Sequence, residues 1–340
     1  MNYLYYLFLI QLQGSIYLTP NNADWEVFNA DFDTYYLSTG NYEDLGRIII
    51  KDKNNFKIIG DSSIVQDIEL IRCNNVTIEG VTVTTYGVIL RRSEHCTVRN
   101  SYFHLDRRIN VRVIHSPFSN IENNYMRIDS PYTDATVGIL LEGNSPECRV
   151  VGNTIINYVD GIGSMDKPTY EINDLQGLLV ANNEIYIEDK LRQSVNGEEY
   201  AVTENAIDLK VGSENPDNPV IIRGNKLHGH RWTKKGSSSG SGGEEIVIHR
   251  YAKNIVIEEN EIYDGVGAIR VAPTVVNGKW FYPNNRRVVI RNNKIHHIFK
   301  RNEPGKGAVY YIASETEIEN NQESDYSNLL YNVHVKTKIK

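Results

Sequence analysis

One short phrase, returning seven times at uneven intervals, constrains the fold of this 340-residue chain more than any other feature. It reads Ile121-Glu-Asn-Asn124-Tyr-Met, Val150-Val-Gly-Asn153-Thr-Ile, Val180-Ala-Asn-Asn183-Glu-Ile, Ile222-Arg-Gly-Asn225-Lys-Leu, Ile257-Glu-Glu-Asn260-Glu-Ile, Ile290-Arg-Asn-Asn293-Lys-Ile and Ile318-Glu-Asn-Asn321. The last asparagine never varies. Upstream, Ile78-Glu-Gly-Val81-Thr-Val and Val98-Arg-Asn-Ser101-Tyr-Phe keep the apolar frame with another residue in that slot, and Ile58-Ile-Gly-Asp61 fits as an earlier copy. From Val81 onward, successive slots lie 20, 23, 29, 30, 42, 35, 33 and 28 residues apart.

A unit of about 20 to 40 residues with a short strand on each side of a turn cannot bury its apolar face alone, so the units must stack. Asparagine tolerates the left-handed conformation such a corner demands, and its amide can bond the equivalent amide one coil above and below. The expected fold is all-β: a right-handed, single-stranded parallel β-helix. Leucine-rich repeats would need a Leu-rich consensus, and propeller blades do not change length so freely. Asp24-Trp-Glu-Val-Phe-Asn-Ala-Asp31 carries an N-cap residue and helix-spaced apolar residues, which predicts a short amphipathic helix capping the N-terminal end.

The repeats resemble those of the pectate-lyase-like β-helix superfamily over roughly residues 45–325. The resemblance implies the fold and no single reaction, since that superfamily holds lyases, glycosidases, epimerases, phage tailspikes and passive surface proteins. Thr34-Tyr-Tyr-Leu-Ser-Thr-Gly40 resembles the opening of many secreted β-helix proteins, implying a secreted or periplasmic location. Residues 1–15 have an apolar stretch and a small-residue exit but no basic start, and read either as the remnant of a signal peptide or as a first strand. Residues 16–340 are expected to form one domain, because a solenoid grows along one axis.

Net charge is −7, 40% of residues are hydrophobic and 22 are tyrosine, which suits short strands between polar corners and points to neither nucleic acid nor a membrane. A monomer is expected. Cys73, Cys96 and Cys148 are too few for a disulfide framework; Cys96 and Cys148 fall in a slot otherwise filled by Val and Ile and read as small buried hydrophobes. Nucleotide and zinc fingerprints do not occur. His228, His230, His296 and His297 follow the corner strands and read as surface residues.

A third strand follows each corner. Laid in register, these begin at Ile89, Ile109, Ile139, Ile162, Ile207, Ile246, Ile269 and Val309, and period-2 geometry sends the second and fourth members outward. One outward column then holds Arg112, Glu142, Lys210 and His249, and its neighbour Asp208, Arg270 and Tyr310. The lengthened loops flank this strand and carry Trp232, Trp280 and Tyr282, on which a sugar could stack. The run 236–243 is Gly/Ser-rich and reads as an excursion or a lid.

A linear groove with aromatics points to a polymer, and its cations point to an acidic one, a polyuronate or glycosaminoglycan. β-Elimination needs a cation to neutralise the uronate carboxyl, a base for the C5 proton and an acid for the leaving oxygen. Lys210, crowded by cationic neighbours, is the expected base; Arg112 or Arg270 the neutralising cation; His249 or Tyr310 the proton donor; and Glu142 lines the substrate path. Gly243-Glu-Glu245-Ile-Val-Ile-His-Arg250 is similar to a strand of chondroitinase B and alginate lyases, with Arg250 where they place a basic lysine. That resemblance implies a Ca²⁺ site, for which Glu204, Asp208 and Glu245 are hard oxygen donors, although Lys210 falls near a position where those enzymes offer a neutral ligand. The enzyme either needs no cofactor or uses Ca²⁺. The alternatives are a glycoside hydrolase using paired carboxylates, from Asp160, Asp208 and Glu245, and a non-catalytic carbohydrate-binding module of phage-fibre or adhesin type.

Overall fold

The coordinates, a computed structural model, describe residues 14–339 apart from 22, 24, 30, 32, 105–108, 130–135, 166–172, 189–192, 196–197, 201–203, 231–242, 250–251, 273, 277–278, 282–286, 299–307, 313–315, 325–327 and 333–336. Within them 31 strands join in one parallel hydrogen-bonded system wound as a right-handed β-helix of three faces. The first sheet runs through Asn120–Glu122, Arg149–Val151, Leu179–Ala181, Val220–Arg223, Ile255–Glu258 and Val288–Arg291. The second continues past the corner with Tyr125–Arg127, Thr154–Ile156, Glu184–Tyr186, Lys226–His228, Glu261–Tyr263 and Lys294–His296. The third holds Ile109–Ile114, Val137–Glu142, Asp160–Met165, Asn205–Leu209, Glu244–Ile248 and Gly267–Val271. In the first coils two 18-residue strands, Asn54–Ile71 and Asn74–Arg91, pass through all three faces.

The repeated asparagines are stacked, buried from Asn124 to Asn293 and half-buried at Asn321. Each Nδ2 donates to the Oδ1 of the next, from Asn124 through Asn153, Asn183, Asn225, Asn260 and Asn293 to Asn321, at 2.9–3.0 Å. The same nitrogen also donates to a carbonyl one coil back, as Asn153 does to Ile121 at 2.8 Å. The left-handed conformation belongs to the residue before: Asn123, Gly152, Asn182, Gly224, Glu259, Asn292 and Asn320 all have φ between 51° and 70°. The two halves of the Asn-Asn phrase therefore do different jobs, one making the bend and the other satisfying the buried polar groups that the bend exposes.

Between the faces the core is a stack of Val, Ile and Leu, with Cys73, Cys96 and Cys148 buried in it as free thiols. Burial pushes the Cys96 and Cys148 thiols up to about 12. The helix expected over residues 24–31 is instead a five-residue 3-10 turn, Trp25–Asn29, which seats Phe28 against Tyr35 at 4.7 Å between ring centres. One turn suffices to drop Phe28 onto the open end, and a run this short cannot recover the cost of starting an α-helix. Residues 1–13, the bulk of the segment read as a signal peptide or first strand, lie outside the described residues; Ser15–Leu18 pairs with Thr34–Leu37 as the first described rung. Outside the second sheet the rings of Tyr186, His228, Tyr263 and His296 stack at 4.4–4.9 Å. Burial, followed by the charge of Lys226, lowers His228 to about 4.

Candidate functional site

The third-sheet register expected from sequence holds across five coils, where Ile139, Ile162, Ile207, Ile246 and Ile269 are paired neighbours. It slips at both ends. Ile139 pairs with Val111, two residues on from Ile109, so Arg112 joins the column of Leu140, Gly163, Asp208, Val247 and Arg270 and not that of Lys210. Ile269 pairs with Tyr310, one residue on from Val309. A one-residue slip exchanges the faces: Tyr310 is 2% exposed and donates its hydroxyl to Glu323 at 2.6 Å, so its expected place as a proton donor in the groove is corrected.

The strands also bend inward before each frame isoleucine. Ala206 and Ile207 both enter the core, as do Ala268 and Ile269. Glu245 occupies the same position, between Ala206 and Ala268. It is therefore turned away from the groove and is fully buried, accepting the backbone N–H of His230 at 3.0 Å and standing 2.8 Å from His230 Nδ1. Gly265 leaves it room, since a Cβ there would come within 2.8 Å of its carboxylate. Burial, only partly offset by His230, raises the Glu245 carboxyl. His230 is thus an interior residue and not a surface one. The groove position belongs to the preceding residue, Glu244.

Four adjacent coils then present Asp160; Asn205, Asp208 and Lys210; Glu244 and His249; and Arg270. Asp160 pairs in register with Asn205, and Gly163 with Asp208. Lys210 Nζ donates to Asp208 Oδ2, and His249 Nε2 lies 3.2 Å from Asp208 Oδ1. Arg270 stands 3.5 Å from Glu244. Arg112 donates to both oxygens of Glu142 at 2.8 and 3.0 Å, and Glu142 is 1% exposed, which removes it from the substrate-contacting role expected of it. Asp160 Oδ1, Asn205 Oδ1 and Glu244 Oε2 are closed to solvent and lack a hydrogen-bond partner. Buried acceptors are ordinarily satisfied, so three on one face set it apart as a polar, closely packed surface.

Burial, then the charges of Asp208 and Glu204, hold the Asp160 carboxyl well above the usual carboxylate range, outweighing Lys210 and the Asn205 N–H. Burial works against the Lys210 ammonium, but Asp208, Asp160 and Glu204 outweigh it and raise its pKa. The cationic surroundings expected for Lys210, and with them a lowered pKa, are replaced by carboxylates that favour its charged form. The donors proposed for Ca²⁺ do not converge, because Glu245 is engaged inside the coil and Asp208 is gripped by Lys210; among the described residues no group of three or more His, Cys, Asp or Glu is arranged to hold a metal. Arg250, Trp232 and Tyr282 lie outside the described residues, and of Trp280 only its strand is described, Lys279–Phe281, which pairs antiparallel with Thr274–Val276.

Asn205 and Glu244 escaped the sequence reading. A signal for Glu244 was present: Gly138, Gly161, Ala206 and Ala268 share the position of Glu245, and a column of such small residues marks a bend with two inward residues in a row.

No protein-family model matches the chain, and neither does any curated protein. Solved structures match over nearly its whole length. An alginate lyase from Paenibacillus sp. str. FPU-7 is 15% identical with a TM-score of 0.53, covering 94% of this chain and 98% of its own. The Streptococcus pneumoniae surface protein and adhesin PfbA is 10% identical with a TM-score of 0.58, covering 95% and 100%. The catalytic domain of a GH87 alpha-1,3-glucanase in complex with tetrasaccharides is 14% identical with a TM-score of 0.59, covering 94% and 67%. At these identities the likeness is one of architecture, and it identifies the fold of the chain as a right-handed parallel β-helix.

Proposed function

We propose that the protein is a glycoside hydrolase acting on a neutral glycan chain laid along the third sheet, with Asp160 as general acid and Asp208 as the carboxylate that activates water. The observation that carries this reading is the contrast between the two: burial and neighbouring charge raise the Asp160 carboxyl above the usual carboxylate range, and Asp208, one coil away, is salt-bridged to Lys210. A carboxyl raised in this way suits the acid role, and an ion-paired carboxylate beside it suits the base role. Asp160 gives its proton to the glycosidic oxygen as the bond to the anomeric carbon breaks. Asp208 takes a proton from the water whose oxygen forms the new bond.

Asp160 and Asp208 are one strand spacing apart and three residues offset along the strand, about 4.8 Å by about 10 Å between backbones. Side chains leaning together over that offset suit the roughly 6.5–9.5 Å of an inverting pair better than the roughly 5–5.5 Å of a retaining one. The cations of the face, Arg112, Lys210 and Arg270, each have a carboxylate partner. A uronate entering the face would meet Asp208 and Glu244 without a surplus of positive charge, which favours an uncharged sugar and disfavours the acidic polymer expected from sequence. Elimination also loses its base, since Lys210 stays an ammonium. The glucanase among the similar folds, bound to tetrasaccharides, supports a glycan in such a groove.

The test is a panel of neutral and uronate polysaccharides assayed for reducing ends and for ultraviolet-absorbing product, with and without a chelator. The reading expects reducing ends from a neutral polymer, no absorbing product and no effect of the chelator. Absorbing product from a uronate polymer would overturn it.

A further inference from the structure

The face that carries Asp160 and Asp208 continues toward the N-terminus into a second cluster. Arg47 donates to Asp67 and lies 3.5 Å from Glu69; Arg91 donates to Glu69 at 2.9 Å; and the Arg47 guanidinium sits 5.3 Å from the centre of the Tyr86 ring. Tyr86 is 52% exposed. Asp67 is 1% exposed, yet its Oδ1 has no hydrogen-bond partner.

Register ties this cluster to the candidate site. Glu69 pairs with Ile89, Ile89 with Arg112, Arg112 with Leu140, Leu140 with Gly163 and Gly163 with Asp208, one unbroken column. Tyr86 stands two residues before Val88, which pairs with Val111; Ile109, two before Val111, pairs with Val137, and Val137 with Asp160. Tyr86 and Asp160 are thus three coils apart on one line, roughly 14 Å at about 4.8 Å per coil. The floor between them is half-buried Ile109 and Val137.

We propose that Tyr86 and Arg47, with Glu69 holding the Arg47 guanidinium in place, form a distal subsite that binds a further sugar of the same glycan chain, so that the protein prefers long chains over short ones. Tyr86 offers an amphipathic ring to the C–H face of a sugar. Arg47 is pinned by its ion pairs to Asp67 and Glu69 and presents guanidinium donors without further ordering cost. The inference rests on the glycan reading of the face, and adds to it that affinity grows with chain length because one molecule engages both clusters.

The probe is a glycan array carrying length series of neutral glucans, read with the Asp160→Asn protein so that binding is scored without turnover. The expected result is tighter binding of members long enough to span both clusters. Adding Tyr86→Ala lowers the ratio of long-chain to short-chain affinity about tenfold, Tyr86→Trp restores it, and Tyr17→Ala, at an exposed tyrosine of the first sheet, does not move it. Length-independent binding, or a ratio untouched by Tyr86→Ala, would overturn the subsite alone. Binding of no glycan by any variant would overturn the glycan reading and the subsite together.

Discussion

His249 Nε2 stands 3.2 Å from Asp208 Oδ1, and Lys210 holds the other oxygen of the same carboxylate. Asp208 is nearly buried, and these two neighbours fix the position of its carboxylate. Lys210→Ala is expected to lower kcat by about tenfold, the rate equivalent of losing one charge-assisted hydrogen bond of roughly 1.5 kcal/mol that positions Asp208, without abolishing turnover. Were Lys210 itself the base, the loss would be complete. Steady-state kinetics on the polymer found in the screen separates the two.

Asp160→Asn should reduce turnover by about 10²–10⁴-fold, the usual contribution of a positioned general acid, and stabilise the fold. The sign follows from the raised carboxyl: the folded state holds this proton more tightly than the unfolded one, so the contribution of Asp160 is fully present below the ordinary carboxylate pKa and is lost as pH rises through the raised one. Removing the ionisable group removes that loss. Thermal unfolding of both proteins from acid to neutral pH should show a gap that opens with pH and reaches roughly 1 kcal/mol, a common gain when a strained functional group is replaced.

The asparagine stack gives a contrast between neighbours. Asn183→Ala deletes its bonds to Asn225 Oδ1 and the Val150 carbonyl and strands the Asn153 amide that donates to it, at 2.9, 2.9 and 3.0 Å. Buried groups left unsatisfied cost about 1–3 kcal/mol each, so a loss of roughly 3 kcal/mol or more is expected. Asn182→Gly changes the residue with φ 53°, where glycine is at ease, and should cost less than about 1 kcal/mol. Denaturant unfolding of the two variants checks the division of labour between bend and stack.

The architecture was legible because stacking makes the sequence repeat: the asparagine slot, the apolar frame and the buried cysteines all follow from one coil lying over the next. The face was legible only where a strand length could be counted from an isoleucine with a fixed neighbour. Tyr310 and the Glu244–Glu245 pair were misplaced because alternation has no memory of a bend, and one extra inward residue exchanges groove and core. The sign of the Lys210 shift was lost for the same reason, since it depends on which charges share the face. The buried His230–Glu245 pair left no trace in spacing, because it joins a loop root to a strand across 15 residues.

The account rests on Asp160 and Asp208 acting together as acid and base on a glycosidic bond. The most direct measurement is the anomeric form of the first product, followed by proton NMR during digestion of a neutral glycan by the wild-type protein and by Asp160→Asn. The account predicts a product of inverted configuration from the wild type and almost none from the variant. Undiminished product from Asp160→Asn, or an unsaturated sugar in place of a reducing end, would contradict it.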